Sequence, residues 1–153
     1  VLASDIPLIT VEALRDFLTQ CQKREADLYY SFVPRAIVEE KCQGVRRTYV
    51  RLKDGVFTGG NVMLVEPQVI LSHWRAIAQA VQLRKAPMKL CRLFGYRFVL
   101  KLLCGQLTVA EIEERLEKIL RFRGAGVVSF FPEIGIDVDK PSDLELAQIL
   151  LGK

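Results

Sequence analysis

Acidic residues at two distant places in the chain have the type and spacing of a site for a divalent cation. Asp5 lies just beyond the apolar run 1–3, a position that is typical of the C-terminal end of a strand. Asp137 and Asp139 alternate near the end of the chain, so in an extended segment their side chains point to the same side. Two carboxylates on one side repel each other unless a cation lies close to them. We therefore predict that Asp5, Asp137 and Asp139 bind Mg²⁺, which takes one or two carboxylates plus substrate phosphates.

Some acidic residues of these segments also have a structural explanation. An Asp at a strand end often caps the turn that follows, and taken alone Asp5 fits that role. Asp143 and Glu145 fall in the first turn of a predicted helix, where the helix dipole already accounts for acidic residues. The metal prediction therefore requires that Asp5 and Asp139 meet at one edge of the folded sheet.

A polar segment with two glycines is the first candidate for binding a second substrate. Thr58, Gly59, Gly60 and Asn61 interrupt a β-type run. Paired glycines inside a strand pattern mark a bulge or a close approach of the backbone to a ligand, and an ordinary bend explains them equally well. The four residues are candidate contacts for an acceptor.

Basic residues just upstream are the second candidate, because arginines at 46, 47 and 51 can meet phosphate or form a solvated face. Side chains alternate along a strand, so Arg46 and Thr48 share one side while Arg47 and Tyr49 share the other. The large ring of Tyr49 suits packing under helices. We therefore predict that Arg46 and Thr48 face the acceptor.

The elements that must position these residues alternate between strands and helices. A strand at residues 1–3 precedes a helix capped by Thr10, and a hairpin is predicted at Lys53-Asp54-Gly55. Strands are predicted at 27–33, 46–52, 56–65, 127–131 and 134–138. Helices are predicted at about 68–84 and 88–104, from a capping box at Thr108 to Gly124 and Gly126, and from a second capping box at Ser142 to near Gly152. This alternation indicates an α/β layered sheet with a helical insertion at about 68–121.

Composition favours one folded domain over residues 1–153, since 50% of the 153 residues are hydrophobic and 26% are charged. The net charge is +4, but the basic patches are not interleaved with aromatic residues, so no nucleic-acid binding is predicted. The apolar stretch 90–107 is interrupted by Arg92, Arg97 and Lys101, so no transmembrane helix is predicted. Four cysteines without a CxxC pair indicate buried free thiols and a reducing, cytoplasmic environment.

Three short motifs, in their order and separations, resemble the MobA-like nucleotidyltransferases of the nucleotide-diphospho-sugar transferase superfamily. They are Ser-Asp-Ile-Pro-Leu at 4–8, Thr-Gly-Gly-Asn at 58–61, and Asp-Val-Asp-Lys-Pro-Ser-Asp-Leu at 137–144. The resemblance implies a three-layer α/β fold with a mixed sheet. It also implies that Asp5 and Asp139 are catalytic metal ligands with Asp137 beside them, and that residues 58–61 lie next to the acceptor.

By the same resemblance, the reaction is transfer of a nucleoside monophosphate from a nucleoside triphosphate to a phosphorylated small-molecule acceptor, with Mg²⁺ and release of pyrophosphate. Members of this family begin with a strand and a Leu-Ala-Gly-Gly type loop that holds the triphosphate, and the 153 residues contain no such loop. The chain is therefore expected to be the C-terminal part of such an enzyme, without its N-terminal βαβ portion and inactive by itself. Open strand edges then favour a homodimer.

Two other functions remain open from the sequence. One is a non-catalytic binding or regulatory module of the same fold. The other is a membrane-surface role for the cationic, apolar segment 89–107, whose charges spread around about half of a helix circumference. The nucleotide base and the acceptor are not specified by the residues.

Overall fold

The computed structural model describes residues 1–42, 45, 47–83 and 94–152. In that part of the chain one mixed four-stranded sheet has the order β2-β3-β1-β4. The strands are β1 Leu28–Pro34, β2 Val50–Leu52, β3 Gly55–Val65 and β4 Gly124–Val128. The helices are α1 Val11–Cys21, α2 Arg35–Lys41, α3 Pro67–Leu83, α4 Tyr96–Leu103, α5 Val109–Leu120 and α6 Pro141–Leu150, and a 3₁₀ turn spans Pro132–Gly135.

The sheet is built around β1, which pairs antiparallel with β3 and parallel with β4. The predicted hairpin is confirmed, because β2 and β3 pair across the turn before Gly55. Residues 1–3 lie beside β3, where Leu2 bridges Val62 and the Ala3 N–H donates to the Asn61 carbonyl at 3.0 Å. Since residues 1–3 and β1 are both antiparallel to β3, residues 1–3, β1 and β4 all end at the same edge. We call it the C-terminal edge.

Helices pack on both faces of this sheet, in agreement with the predicted α/β class. On one face Ala13, Phe17 and Cys21 of α1 pack in a buried cluster with Val33 of β1 and Ile134 of the 3₁₀ turn. On the other face α5 and α3 pack over the start of β1, through a cluster of Val69, Leu116, Ile119, Leu120 and Phe122 around Leu28. The strand alternation of β1 thus separates two apolar clusters.

Two helix caps that were predicted from the local sequence, at Thr10 and Thr108, are present in the structure. Thr10 caps α1, since its side chain accepts a hydrogen bond from the Ala13 N–H at 3.2 Å. The capping box of α5 is also confirmed, with the Glu111 N–H donating to Thr108 Oγ1 at 3.1 Å and the Thr108 N–H donating to Glu111 Oε2 at 3.0 Å. Such caps satisfy N–H groups that a helix start leaves unpaired, so local sequence is enough to predict them.

The end of α5 differs from the prediction. The helix stops at Leu120 because Arg121 adopts the left-handed conformation, with φ of 63°. Gly124 and Gly126, which were predicted to end it, lie in β4 instead. Gly126 packs against the ring of Phe32, and a Cβ there would lie 3.0 Å from Phe32 Cζ. Gly126 is therefore explained by strand packing and not by helix termination.

Three further predictions of secondary structure are wrong. The segment predicted as a strand at 134–138 begins inside the 3₁₀ turn, which ends at Gly135. Pro132, at the start of the turn, has no N–H group to donate to a neighbouring strand, and Ile134 is wholly buried in the core. The last helix starts at Pro141 and not after Ser142. Of the strand predicted at 46–52, the described residues 47–49 are not in a strand, and β2 begins at Val50. The helix α2, which directly follows Pro34, was not predicted.

Several predicted features fall partly on residues that are not described, including Arg46, the basic patch at 84–92 and Cys91. Cys21 and Cys42 are buried free thiols as predicted, and burial raises the pKa of both. Cys104 is free but exposed, so the prediction of a buried thiol is wrong there. None of the described helices combines the length and the apolar character that crossing a membrane requires.

Candidate metal centre

Three carboxylates meet at the C-terminal edge. Asp5, Asp137 and Asp139 each offer a carboxylate oxygen, and these oxygens all lie within 4.8 Å of one another. Asp5 is more than 130 positions away from the other two in sequence, so only the fold brings the three together. The juxtaposition that was predicted for Asp5 and Asp139 is present. Three like charges at this separation repel each other strongly unless positive charge is added.

Backbone contacts and buried neighbours fix the two acidic segments against each other. The Val138 N–H donates to the Asp5 carbonyl at 2.9 Å, which ties the loop after residues 1–3 to the segment before α6. Ile6 and Ile136 are both buried and anchor the two segments in the core beneath the carboxylates. The backbone of the two acidic segments is therefore held by contacts that do not involve the carboxylate charges.

A fourth acid positions Asp139 from the start of α6. The Asp143 carboxylate accepts the backbone N–H of Asp139 at 3.2 Å and that of Lys140 at 2.9 Å. This is the role of a capping acid in the first helical turn. Asp143 thus orients the backbone of Asp139, which is a candidate metal ligand. This position agrees with the sequence analysis, which placed Asp143 in the first turn of a helix.

The three carboxylates differ in their surroundings. Asp5 and Asp139 are exposed, and no donor among the described residues bonds to either carboxylate. Asp137 is largely buried, with 18% of its side chain exposed, and its Oδ1 accepts from Nη1 of Arg47. Arg47 is buried to a similar degree, with 15% of its side chain exposed. One carboxylate is therefore neutralised by the protein and two are open to solvent.

Strand alternation does not describe the position of Arg47. Residues 47–49 lie before β2, so the strict two-sided pattern of a strand does not apply to them. Arg47 reaches the acidic cluster, Thr48 is exposed, and Arg46 lies outside the described residues. Tyr49 is half-buried, as expected for a packing residue, and burial raises its pKa. The guanidinium of Arg35 lies 5.3 Å from its ring centroid.

The paired glycines lie at a bulge of β3, which is one of the alternatives that the sequence left open. The pairing of β1 with β3 shifts register between Tyr30 and Phe32, which face Met63 and Gly59. Ser31 is fully buried opposite this irregularity, and its hydroxyl donates to the Val62 carbonyl at 2.7 Å and accepts the Val62 N–H at 3.3 Å. A buried hydroxyl thus replaces the ladder bonds that the bulge removes. Ser31 was not predicted, because its role depends on the partner strand.

Packing alone explains one of the paired glycines. A Cβ on Gly60 would overlap Ser31 Oγ and lie 2.9 Å from Ile134 Cγ2, so only glycine fits there. Thr58 is also buried, at 3% exposure. Gly59 is exposed, and Asn61 is half-buried with an Nδ2 group that has no partner in the described part of the chain. Of the four predicted acceptor contacts, Gly59 and Asn61 are therefore the more accessible two.

Comparisons with known proteins give one similar solved structure. No family model matches the chain, and no curated protein matches it. The structure is similar to that of a hypothetical transferase from Thermus thermophilus, with a TM-score of 0.87 and 41% sequence identity. The match covers 94% of this chain and 62% of the Thermus thermophilus chain, so the present chain spans less than two thirds of that protein's length. The two proteins share one mixed α/β fold over nearly the whole length of the present chain.

Proposed function

We propose that this chain is the metal- and acceptor-binding part of a nucleotidyltransferase with a three-layer fold of the nucleotide-diphospho-sugar transferase type. The reaction is transfer of a nucleoside monophosphate from a nucleoside triphosphate to a phosphorylated small-molecule acceptor, with release of pyrophosphate. The observation that carries the proposal is the cluster of Asp5, Asp137 and Asp139 at the C-terminal edge. Similarity to a hypothetical transferase supports the class of enzyme. The three sequence motifs support the nucleotidyl chemistry.

The donor set of the cluster fits Mg²⁺. This ion prefers hard oxygen ligands and binds proteins through one or two carboxylates, while phosphates and water complete its octahedral shell. Asp5 and Asp139 supply two carboxylates without competing hydrogen bonds from described residues. Asp137 adds negative charge nearby, but its carboxylate is paired with Arg47. When bound there, Mg²⁺ neutralises the phosphate charge that builds up during transfer.

The protein's own residues then act by positioning and by charge. Asp5 and Asp139 hold the cation at the edge where open α/β sheets bind ligands. Arg47 adds a fixed positive charge within the same cluster. On the acceptor side, Gly59 exposes backbone and Asn61 is half-buried, and Arg46 and Thr48 remain candidate contacts. No protein nucleophile is required, because the acceptor phosphate attacks the α-phosphorus directly.

The test is pyrophosphate release by the full-length product of the gene that encodes this chain. Each of the four nucleoside triphosphates is supplied with Mg²⁺ and a panel of phosphorylated sugars, polyols and molybdopterin. The expected result is release that depends on both Mg²⁺ and one acceptor class, and that is lost in Asp139→Asn. Asp16→Asn is the control, since that acid lies on α1 and, within the described part of the chain, accepts a hydrogen bond from Gln20 on the same helix. Release that is unaffected by Asp139→Asn would contradict the proposal, and binding of triphosphate without any release would favour a non-catalytic module.

A further inference from the structure

The ion pair between Arg47 and Asp137 lies inside the acidic cluster and changes what the cluster offers to a cation. The three carboxylates and the guanidinium together carry a net charge of −2, and the pairing occupies one of the three acids. Both partners are mostly buried, at 15% and 18% side-chain exposure. Screening by solvent is therefore weaker here than for the exposed ion pairs on the helices, and removing one partner leaves the other charge uncompensated.

Arg47 is not fully satisfied by this contact. A guanidinium carries five N–H donors, and Nη1 donates to Asp137. The Nε group is buried and has no hydrogen-bond partner among the described residues. Arg47 is therefore held in the cluster by its charge and not by a complete set of hydrogen bonds. A buried donor that stays unpaired costs free energy, which indicates that something other than stability keeps the residue there.

We propose that Arg47 is a positioning residue that sets how tightly the cluster binds a bare divalent cation, an inference that rests on the proposed metal function. By occupying Asp137, Arg47 leaves Asp5 and Asp139 as the two free carboxylates, and its charge opposes the approaching cation. Two carboxylates hold Mg²⁺ weakly without phosphates to complete its shell. Arg47 thus makes firm cation binding depend on the arrival of a phosphorylated ligand, whose negative charge it also attracts.

The experiment measures Mn²⁺ binding to the chain in the absence of nucleotide, by electron paramagnetic resonance of the free ion. Arg47→Gln removes the opposing charge and frees Asp137, so Mn²⁺ affinity is expected to rise about tenfold or more. Asp137→Asn leaves the guanidinium charge uncompensated and is expected to weaken binding about tenfold. A gain in Mn²⁺ affinity when Arg47 alone is replaced is not what a merely structural arginine produces.

The double variant Arg47→Gln/Asp137→Asn separates charge from rearrangement. It restores the net charge of −2, so its Mn²⁺ affinity is expected to lie within about threefold of wild type if charge is the cause. Arg24→Gln is the matched control, because Arg24 forms a two-point ion pair with Glu113 just before β1 and outside the acidic cluster. Its affinity is expected to equal that of wild type. Unchanged or weaker Mn²⁺ binding by Arg47→Gln overturns the inference, as does a double variant that binds as tightly as Arg47→Gln.

Folding is followed in parallel by thermal unfolding with and without Mn²⁺. A cation that binds the folded state alone raises the melting temperature, and the rise is expected to be larger in Arg47→Gln than in wild type. If Arg47→Gln does not fold even at saturating Mn²⁺, Arg47→Met replaces it, since methionine also removes the charge and its flexible apolar side chain adapts to a mostly buried site. A gain of about tenfold in Mn²⁺ affinity supports the inference in that case, and no gain overturns it. Pyrophosphate release is measured separately, so a failure of the proposed reaction is distinguished from a failure of the role of Arg47.

Discussion

Carboxylates near the start of β1 accept hydrogen bonds from the protein, whereas two of the carboxylates at the C-terminal edge accept none from the described residues. Near the start of β1, Asp27 accepts the Arg123 N–H at 2.7 Å, and Glu113 accepts the Gly126 N–H at 2.7 Å while also pairing with Arg24. At the C-terminal edge, the carboxylates of Asp5 and Asp139 receive no bond from any described residue. The first group, Asp27 and Glu113, stabilises the backbone by accepting its N–H groups. The second group, Asp5 and Asp139, makes no such bond through its carboxylates.

The two groups of acids are expected to have opposite effects on the stability of the folded chain. Clustered carboxylates raise the free energy of the folded state through repulsion, so neutralising one is expected to stabilise the chain. A carboxylate that accepts buried backbone N–H groups lowers that free energy, and its loss leaves the N–H groups unpaired. The sign of the stability change on substitution therefore identifies which group an acid belongs to.

The largest expected effect is on cation binding at the C-terminal edge. Asp5→Asn or Asp139→Asn removes one of two free carboxylates, and Mn²⁺ affinity is expected to fall at least about 100-fold, because even indirect partners of metal ligands contribute about 10–100-fold. The same variants are expected to unfold at equal or higher temperature than wild type without metal, since repulsion is relieved. Isothermal titration and thermal unfolding measure both quantities. A marked loss of stability would assign these acids to the first group instead.

The next effect concerns the glycines that shape the sheet behind the cluster. Gly60→Ala is expected to destabilise the chain by about 2–3 kcal/mol, because the added methyl overlaps buried Ser31 and Ile134. Gly59→Ala is the matched variant, where the methyl meets only the hydroxyl end of the partly exposed Tyr30, and about 1 kcal/mol or less is expected. Urea unfolding gives both values. Equal costs at the two positions would show that the bulge, and not packing, requires glycine.

A smaller loss is expected where an acid supports the backbone. Glu113→Gln retains one acceptor oxygen but loses its charge toward Arg24 and the Gly126 N–H, so a destabilisation of about 1–2 kcal/mol is expected. Mn²⁺ binding is expected to stay unchanged, because Glu113 takes no part in the acidic cluster. Denaturant unfolding measures the loss of stability, and a Mn²⁺ titration on the same sample measures whether the affinity of the acidic cluster is unchanged. A weaker Mn²⁺ affinity would link the two regions.

The sequence predicted those features that depend on neighbouring residues or on strand ends. The Thr108 capping box, the hairpin before Gly55 and the common location of Asp5 and Asp139 all follow from local chemistry or from strand direction. The position of Arg47 was not predictable, because residues 47–49 do not continue the strand whose alternation was assumed. Ser31 was missed for a related reason, since its hydroxyl replaces bonds that a bulge in the partner strand removes.

The acid with the smallest expected effect is Glu111, which caps α5 at the surface. The hydrogen bond from Lys101 and the backbone N–H of Thr108 lower its pKa from the usual value, so its charged form is favoured in the folded state. A lowered folded pKa contributes stability that is present above the unfolded pKa of Glu, about 4.3, and that is lost as pH falls through the folded pKa.

Glu111→Gln keeps a capping oxygen but cannot ionise. Its melting temperature is therefore expected to lie slightly below that of wild type at pH 7, and the gap is expected to close as pH is lowered below the unfolded pKa. Glu114→Gln, on the same helix, controls for the loss of one surface charge. A gap that widens toward low pH would reverse the assigned direction, and Glu111 would then belong with the acids at the C-terminal edge, whose charge opposes folding.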